Sequence, residues 1–290
     1  MSGGPDSLAL LLLALAARPG RIEAATVDHR LRPESAAEAA MVGSVCERLN
    51  VPHVVVDAHW EENPSSNLQA RARAARYALL GDWAMLRGLD AVATAHHADD
   101  QAETLLMRLA RGAGLPGLVG TRRRRTLEPG VQLVRPLLGW RRTELAEIVA
   151  KAGLTPVDDP SNRDPRHDRS RFRAVLESAD WADVERMAGS AAWLAEAEEA
   201  LEWITASIAT ARVVPEGSAL RVDAAGLPRE IQRRLLICAF ERFDTSRPKG
   251  PDLARALDSL ISYRTTTLGG LKLEPGPPWR ISIAPPRKPA

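Results

Sequence analysis

The chain has 290 residues, 45% hydrophobic and 26% charged, with 39 Lys and Arg against 37 Asp and Glu and a net charge of +2. This excludes a chain disordered throughout, and the length suffices for two domains or one large one. The two cysteines, Cys46 and Cys238, lie far apart, so they supply neither a disulfide framework nor a Cys-x-x-Cys metal or redox site.

The first residues are Met1-Ser2-Gly3-Gly4-Pro5-Asp6-Ser7, followed at once by an apolar run over 8–15. A small-residue turn opening a helix is either a plain cap or a phosphate cradle. In a cradle the glycines let the backbone approach an anion, the serines add donors, and the helix N-terminus supplies N–H groups and a positive dipole. A phosphate loop is normally fed by a buried strand, and only Met1 precedes this one. The expectation is therefore a natural product longer at its amino end, with two sheet edges exposed in the present form and its stability and activity reduced. The apolar run is too short to span a bilayer and no basic segment precedes it, so a cytoplasmic protein without a signal peptide is expected.

Residues 22–27 read as a buried strand ending at Asp28 and His29, and 35–49 as a helix stopped by Asn50-Val51-Pro52. A strand over 53–58, a helix over 66–87, a strand over 91–95 and a helix over 100–111 follow; 131–138 reads as a further strand and 141–152 as a helix. Strands separated by helices of this length imply right-handed crossovers and a parallel sheet covered on both faces. Ligands of such sheets bind beyond the carboxyl ends of the strands, where Ser2 to Ser7, Asp28 with His29, and His96 with His97 would meet.

The densest polar cluster is Ala93-Thr94-Ala95-His96-His97-Ala98-Asp99-Asp100-Gln101-Ala102-Glu103-Thr104. Asp100 with Glu103 has capping-box spacing; alternatively the acids and histidines hold Mg²⁺ or a substrate ammonium. On the preceding helix Arg73 and Arg76 share a face and could meet a phosphate. Residues 108–173 carry fifteen Lys and Arg against seven Asp and Glu, which points to a polyanion. Within that stretch Arg122, Arg123, Arg124 and Arg125 read as a loop, and Arg169, Arg171 and Arg173 continue the basic strip. Beyond residue 181, Val184, Met187, Ala191, Leu194 and Leu201 recur at helical spacing and lead into a smaller domain.

The motifs SGGPDS at 2–7, VDHRLR at 27–32, ARAARY at 72–77, the block at 93–118, RPLL at 135–138 and the segment at 158–173 resemble the tRNA(Ile)-lysidine synthetase family of the PP-loop ATP pyrophosphatase group. The resemblance covers most of residues 1–175. It implies an α/β fold, a parallel doubly wound sheet of the adenine nucleotide alpha hydrolase type with its first strand missing, followed by a small mainly helical domain. The implied divisions are a catalytic domain over 1–178, a long helix and small tRNA-binding domain over 179–275, and a Pro-rich tail over 276–290.

The implied reaction is ATP-dependent joining of L-lysine to the wobble cytidine of an isoleucine tRNA with a CAU anticodon. An adenylated tRNA is the intermediate, and pyrophosphate and AMP are released. Ser2, Gly3, Gly4, Pro5, Asp6 and Ser7, with Asp28 and His29, would bind ATP, and Asp6 and Asp100 would hold Mg²⁺. Asp99, Asp100 and Glu103 would form the lysine or metal pocket, Arg108 and Arg111 would meet phosphate or the lysine carboxylate, and His97 would be a site residue. Arg73, Arg76, Arg122 to Arg125, Arg169 and Arg173 would contact tRNA. No membrane partner is expected; a homodimer stays open. Two other readings remain: another PP-loop tRNA-modifying enzyme, such as a thiolase, for which Cys46 and Cys238 provide no cysteine pair, or an inactive tRNA-binding remnant lacking the first strand.

Overall fold

The computed structural model describes residues 1–28, 35–58, 68–127, 130–157 and 168–285. The chain divides into two compact units, Met1–Ala195 and Glu196–Ala290.

In the first unit the order is α1 (Pro5–Ala17), β1 (Ala24–Asp28), α2 (Ser35–Arg48), β2 (His53–Asp57), α3 (Leu68–Leu86), β3 (Ala91–Ala93), α4 (Ala98–Ala110), α5 (Leu115–Leu118), β4 (Arg124–Thr126), β5 (Gln132–Val134), α6 (Arg142–Lys151) and α7 (Asp168–Ser178). The long α8 (Val184–Arg212) begins here and continues into the second unit. β1 pairs in parallel with β2, and β3 in parallel with β5. The crossover pattern read from the sequence is thus present.

Apolar side chains cover both sides of β1, while Val54 and Val55 of β2 stay exposed. Leu8 and Leu11 of α1, Val42 and Cys46 of α2, and Leu145 and Val149 of α6 form one cluster with Ala24. Tyr77, Leu80 and Ala84 of α3 form another with Ala25, Val92 and Leu133. Ala24 and Ala25 join different clusters because successive strand residues point to opposite faces.

The described strands of this unit make two ladders, β1-β2 and β3-β5-β4. β1 and β3 each keep one edge without a strand partner among the described residues. Arg124 and Arg125, read as loop from the sequence, lie on β4, which pairs antiparallel with β5 and forms the edge of its ladder. Four consecutive arginines carry no period-2 signal, so tertiary pairing, not pattern, makes this strand.

The second unit contains the rest of α8, then β6 (Val213–Glu216), β7 (Ala219–Val222), α9 (Arg229–Arg242), α10 (Gly250–Ile261), β8 (Thr266–Leu268), β9 (Leu271–Glu274) and β10 (Trp279–Ile283). Its strands form an antiparallel sheet in the order β6-β7-β10-β9-β8. Leu253, Leu257 and Leu260 of α10 recur on one face and pack with Leu235, Leu236 and Phe240 of α9 over Val222, Leu273 and Ile281. Gly269 and Gly270, both at positive φ, make the two-residue turn between β8 and β9.

The domain expected to be mainly helical thus contains a five-stranded sheet beside its helices. β10 corrects the expected Pro-rich tail: Trp279 and Ile281 alternate into the core, and the flanking prolines hide that period in the sequence. Residues 286–290 of the expected tail lie outside the described residues. Among the described residues no helix is long and apolar enough to cross a membrane.

One buried ion pair fixes α8 to α9. Arg234 grips Glu198 through two bonds, 3.1 and 2.6 Å, and its Nε reaches Glu230 at 2.7 Å. Glu198 and Arg234 are only 3% and 7% exposed. Arg234→Met should lower stability by about 3–5 kcal/mol, because it strands the Glu198 charge in the core. Denaturant unfolding of Arg234→Met against the double variant Glu198→Leu/Arg234→Met checks this; the double variant should recover most of the loss.

Candidate active site

The loop before α1 is shaped by its glycines. Gly3 has φ of +75°, and a Cβ there would lie 2.8 Å from Val157 Cγ2 and 2.9 Å from Met41 Cε. No other residue fits this backbone and this space. The Gly3 carbonyl accepts the Val157 N–H at 3.0 Å, pinning the loop to the segment after α6. Gly4 is the N-cap and Pro5 opens the helix, where its missing N–H costs nothing. The Ser7 hydroxyl donates to the Gly4 carbonyl at 3.0 Å, and the Ser2 hydroxyl lies 3.3 Å from that of Ser7. No side chain caps the helix. The first-turn N–H groups are the unsatisfied donors of a helix start, and they suit an anion.

α4 brings the carboxylates to the same place. His97, its N-cap, is 1% exposed, and its backbone N–H donates to Asp100 at 3.1 Å. Asp100 therefore caps through His97; it does not pair with Glu103 in the capping box read from the sequence. The His97 ring stands among three acids: Nε2 is 3.5 Å from Asp6 and 3.6 Å from Asp100, and Nδ1 is 3.5 Å from Asp99. At these lengths the attraction is mainly between charges.

Burial works against a charged His97, yet Asp6, Asp99 and Asp100 outweigh it and raise its pKa to about 9. Burial would also raise Asp99, but His97, the Arg142 backbone N–H at 2.8 Å and the Arg141 guanidinium hold it below the usual carboxylate range. Asp100 is likewise lowered, with burial overcome by His97 and Arg169. The neighbouring His96 goes the other way. Burial, with Arg135, Arg73 and Arg169 nearby, lowers it to about 4 against the pull of Asp100. At neutral pH one histidine of the pair is charged and the other is not.

Glu103, one turn along α4, is 1% exposed and gathers arginines from two other helices. Arg142 of α6 and Arg173 of α7 bind its Oε1 at 2.9 and 2.8 Å, and Arg169 of α7 stands 3.2 Å from its Oε2. Arg169 and Arg173, expected on a tRNA-facing strip, thus pair with Glu103, while the Arg169 side chain keeps 42% of its surface exposed. Beside them opens a cavity of about 480 Å³ lined by Asp99, Arg141, Arg173, Glu177 and Asp183, with Leu176 and Val184 as apolar wall.

The other candidates are placed as follows. Asp28 ends β1 and is buried, and His29 lies outside the described residues. Arg108 binds the carbonyls of Gly117 and Gly120, and Arg111 pairs with Asp168, so both hold the protein's own loops and helices together. Arg73 and Arg76 stand on α3 without an ion pair among the described residues, and Arg122 to Arg125 lead into and along β4. Among the described residues no three His, Cys, Asp or Glu side chains form a metal-ligand group.

Sequence reasoning passed over Gln101, Arg141 and Arg142. Gln101 brackets Thr121 with bonds of 2.9 and 2.6 Å and fills the space beside Gly120, while Arg141 and Arg142 serve Asp99 and Glu103. Their only signal was position at the start of a helix after a predicted strand.

A glycine-shaped loop at a helix start, beside an acidic cluster at the carboxyl end of a parallel strand, defines a PP-loop nucleotide site, and residues 1–179 match the model of the PP-loop domain. The fold also resembles the U34-tRNA thiolase of Methanococcus maripaludis, with a TM-score of 0.55 over 66% of this chain and 68% of that one, at 16% identity. Over the whole chain, a tRNA(Ile)-lysidine synthase of Zymomonas mobilis is 45% identical, with 89% of that protein covered. One of Novosphingobium aromaticivorans is 48% identical over 98% of this chain and 88% of its own length. The chain belongs to the tRNA(Ile)-lysidine synthase family.

The His97 charge yields a pH test. Its folded pKa lies above the ordinary 6.5, so its stabilisation is complete below about 6.5 and is lost as pH rises through about 9. In metal-free buffer the melting-temperature gap between the wild type and His97→Gln should therefore be widest in mild acid and shrink towards pH 9. A gap independent of pH would contradict the charged imidazole.

Proposed function

We propose that this chain joins L-lysine to the wobble cytidine of an isoleucine tRNA with a CAU anticodon, using ATP. One observation carries the reading: His97 links Asp6, on the phosphate loop, to Asp99 and Asp100, on the acid-rich helix, so the nucleotide and amine sites are one site. In the first step the carbonyl oxygen at position 2 of the base attacks the α-phosphorus of ATP and pyrophosphate leaves. In the second the lysine amine attacks that ring carbon, AMP departs with the oxygen, and a proton is released. The protein mainly aligns groups and offsets developing charge.

Gly3, Gly4 and the start of α1 would cradle the phosphates. Asp6 and Asp100 would hold Mg²⁺: Asp6 Oδ1 is buried without a hydrogen-bond partner among the described residues, and both carboxylates crowd His97 Nε2. Two carboxylates plus substrate phosphates suit this cation, which supplies charge neutralisation on the phosphates when bound. The proton of the lysine amine would pass to His97, to the phosphate of the departing AMP or to water.

The cavity beside Glu103 fits free lysine. Its arginines would meet the carboxylate, and Asp99, Glu177 and Asp183 the ammonium groups. Arg122 to Arg125 would meet the tRNA backbone, and these substrates set the cytoplasm as the workplace.

ATP, radiolabelled lysine and a CAU isoleucine tRNA transcript should give label in tRNA with release of AMP and pyrophosphate. Tight tRNA binding with neither product would favour the remnant reading. The double variant Glu177→Gln/Asp183→Asn should raise the KM for lysine about tenfold and leave that for ATP unchanged, as expected when only a ground-state contact to one substrate is removed.

A further inference from the structure

A second cluster on the first unit has an unusual charge balance. The Tyr77 ring on α3 lies under two guanidiniums, Arg73 at 5.1 Å and Arg125 at 4.5 Å from its centroid. Tyr77 is 8% exposed. Its side chain lies beside that of Arg135, which is 3% exposed, binds the Arg122 carbonyl through Nη1 and keeps a buried Nε without a partner among the described residues. Arg73 and Arg125 are exposed, and neither they nor Arg135 form an ion pair with a carboxylate among the described residues.

Three cations around one phenol repel one another. Burial is the main cause of the lowered Arg135 pKa, and Arg125 and Arg73 lower it further. Such a group is stable when an anion sits on it. The tyrosine ring fixes two planar forks by cation–π contact, which leaves their N–H edges free for bidentate bonds to phosphate oxygens.

We propose that Arg73, Arg125 and Arg135, held by Tyr77, form a seat for one backbone phosphate of the RNA substrate, with Tyr77 as a positioning residue. This rests on the reading of the chain as a tRNA-modifying ligase. Phosphates could also come from ATP, but the glycine loop and the α1 start already provide for those. The seat instead includes an exposed residue of the edge strand β4, where an extended backbone can lie. Arg73 and Arg135 also act on His96, which places the seat near the carboxyl end of β3, close to the reacting base.

The test compares wild type, Arg73→Gln, Arg125→Gln, Tyr77→Phe and Tyr77→Leu for binding of the CAU isoleucine tRNA over a range of salt, with the KM for ATP measured alongside. Each arginine variant should weaken tRNA binding about tenfold and reduce the slope of log Kd against log salt by about one, with the KM for ATP unchanged. Tyr77→Phe keeps the ring and should stay within about threefold of wild type, while Tyr77→Leu should behave like the arginine variants. Unchanged tRNA affinity and salt slope in both arginine variants would overturn the seat. A raised KM for ATP with tRNA binding intact would assign it to nucleotide phosphate and overturn the RNA assignment. Wild type that binds tRNA but attaches no lysine would count against the ligase reading alone, since the phosphate contact is measured by binding.

Discussion

The site depends on one buried imidazolium. His97 sits where the start of α4 meets the start of α1, and its charge lets Asp6, Asp99 and Asp100 stand together in a place with little water. Three carboxylates so placed would otherwise repel one another. The cation among them lowers the pKa of Asp99 and of Asp100 against the effect of burial. The phosphate loop and the acidic helix are thereby one electrostatic unit, although they lie far apart in the sequence.

Glu103 has the complementary role, a turn further along α4. A single buried carboxylate collects Arg142, Arg169 and Arg173, and so draws α6 and α7 onto α4. The excess of arginine over one acid leaves positive charge beside the negative cluster around His97. A pocket with both signs on its walls suits a zwitterion with an extra ammonium better than a simple anion or cation. Arg108 and Arg111, on the same helix, serve the protein itself, which shows how little residue type alone says about role.

Charge is arranged differently around α3. Around Tyr77 the arginines have no acid to answer them among the described residues, and an aromatic ring does the spacing that carboxylates do near Glu103. The two clusters contain the same side chain in different contexts, one gathered on a buried carboxylate and one on an aromatic ring.

By itself the sequence determined the local structure. Hydrophobic periodicity and stop signals such as Asn50-Val51-Pro52 marked α2, β2, α4 and α6 to within a few residues, and SGGPDS marked the glycine turn that opens α1, because these features are written in neighbouring residues. Only the tertiary structure decided which charges meet. It made Asp100 the cap of His97 and not the partner of Glu103, paired Arg169 and Arg173 with Glu103, drew Arg124 and Arg125 into an edge strand, and buried Trp279 and Ile281 of the expected tail in a sheet. Each of these outcomes depends on a partner far away in the chain, and pairing, burial and the pKa of a side chain follow from that partner's position in space.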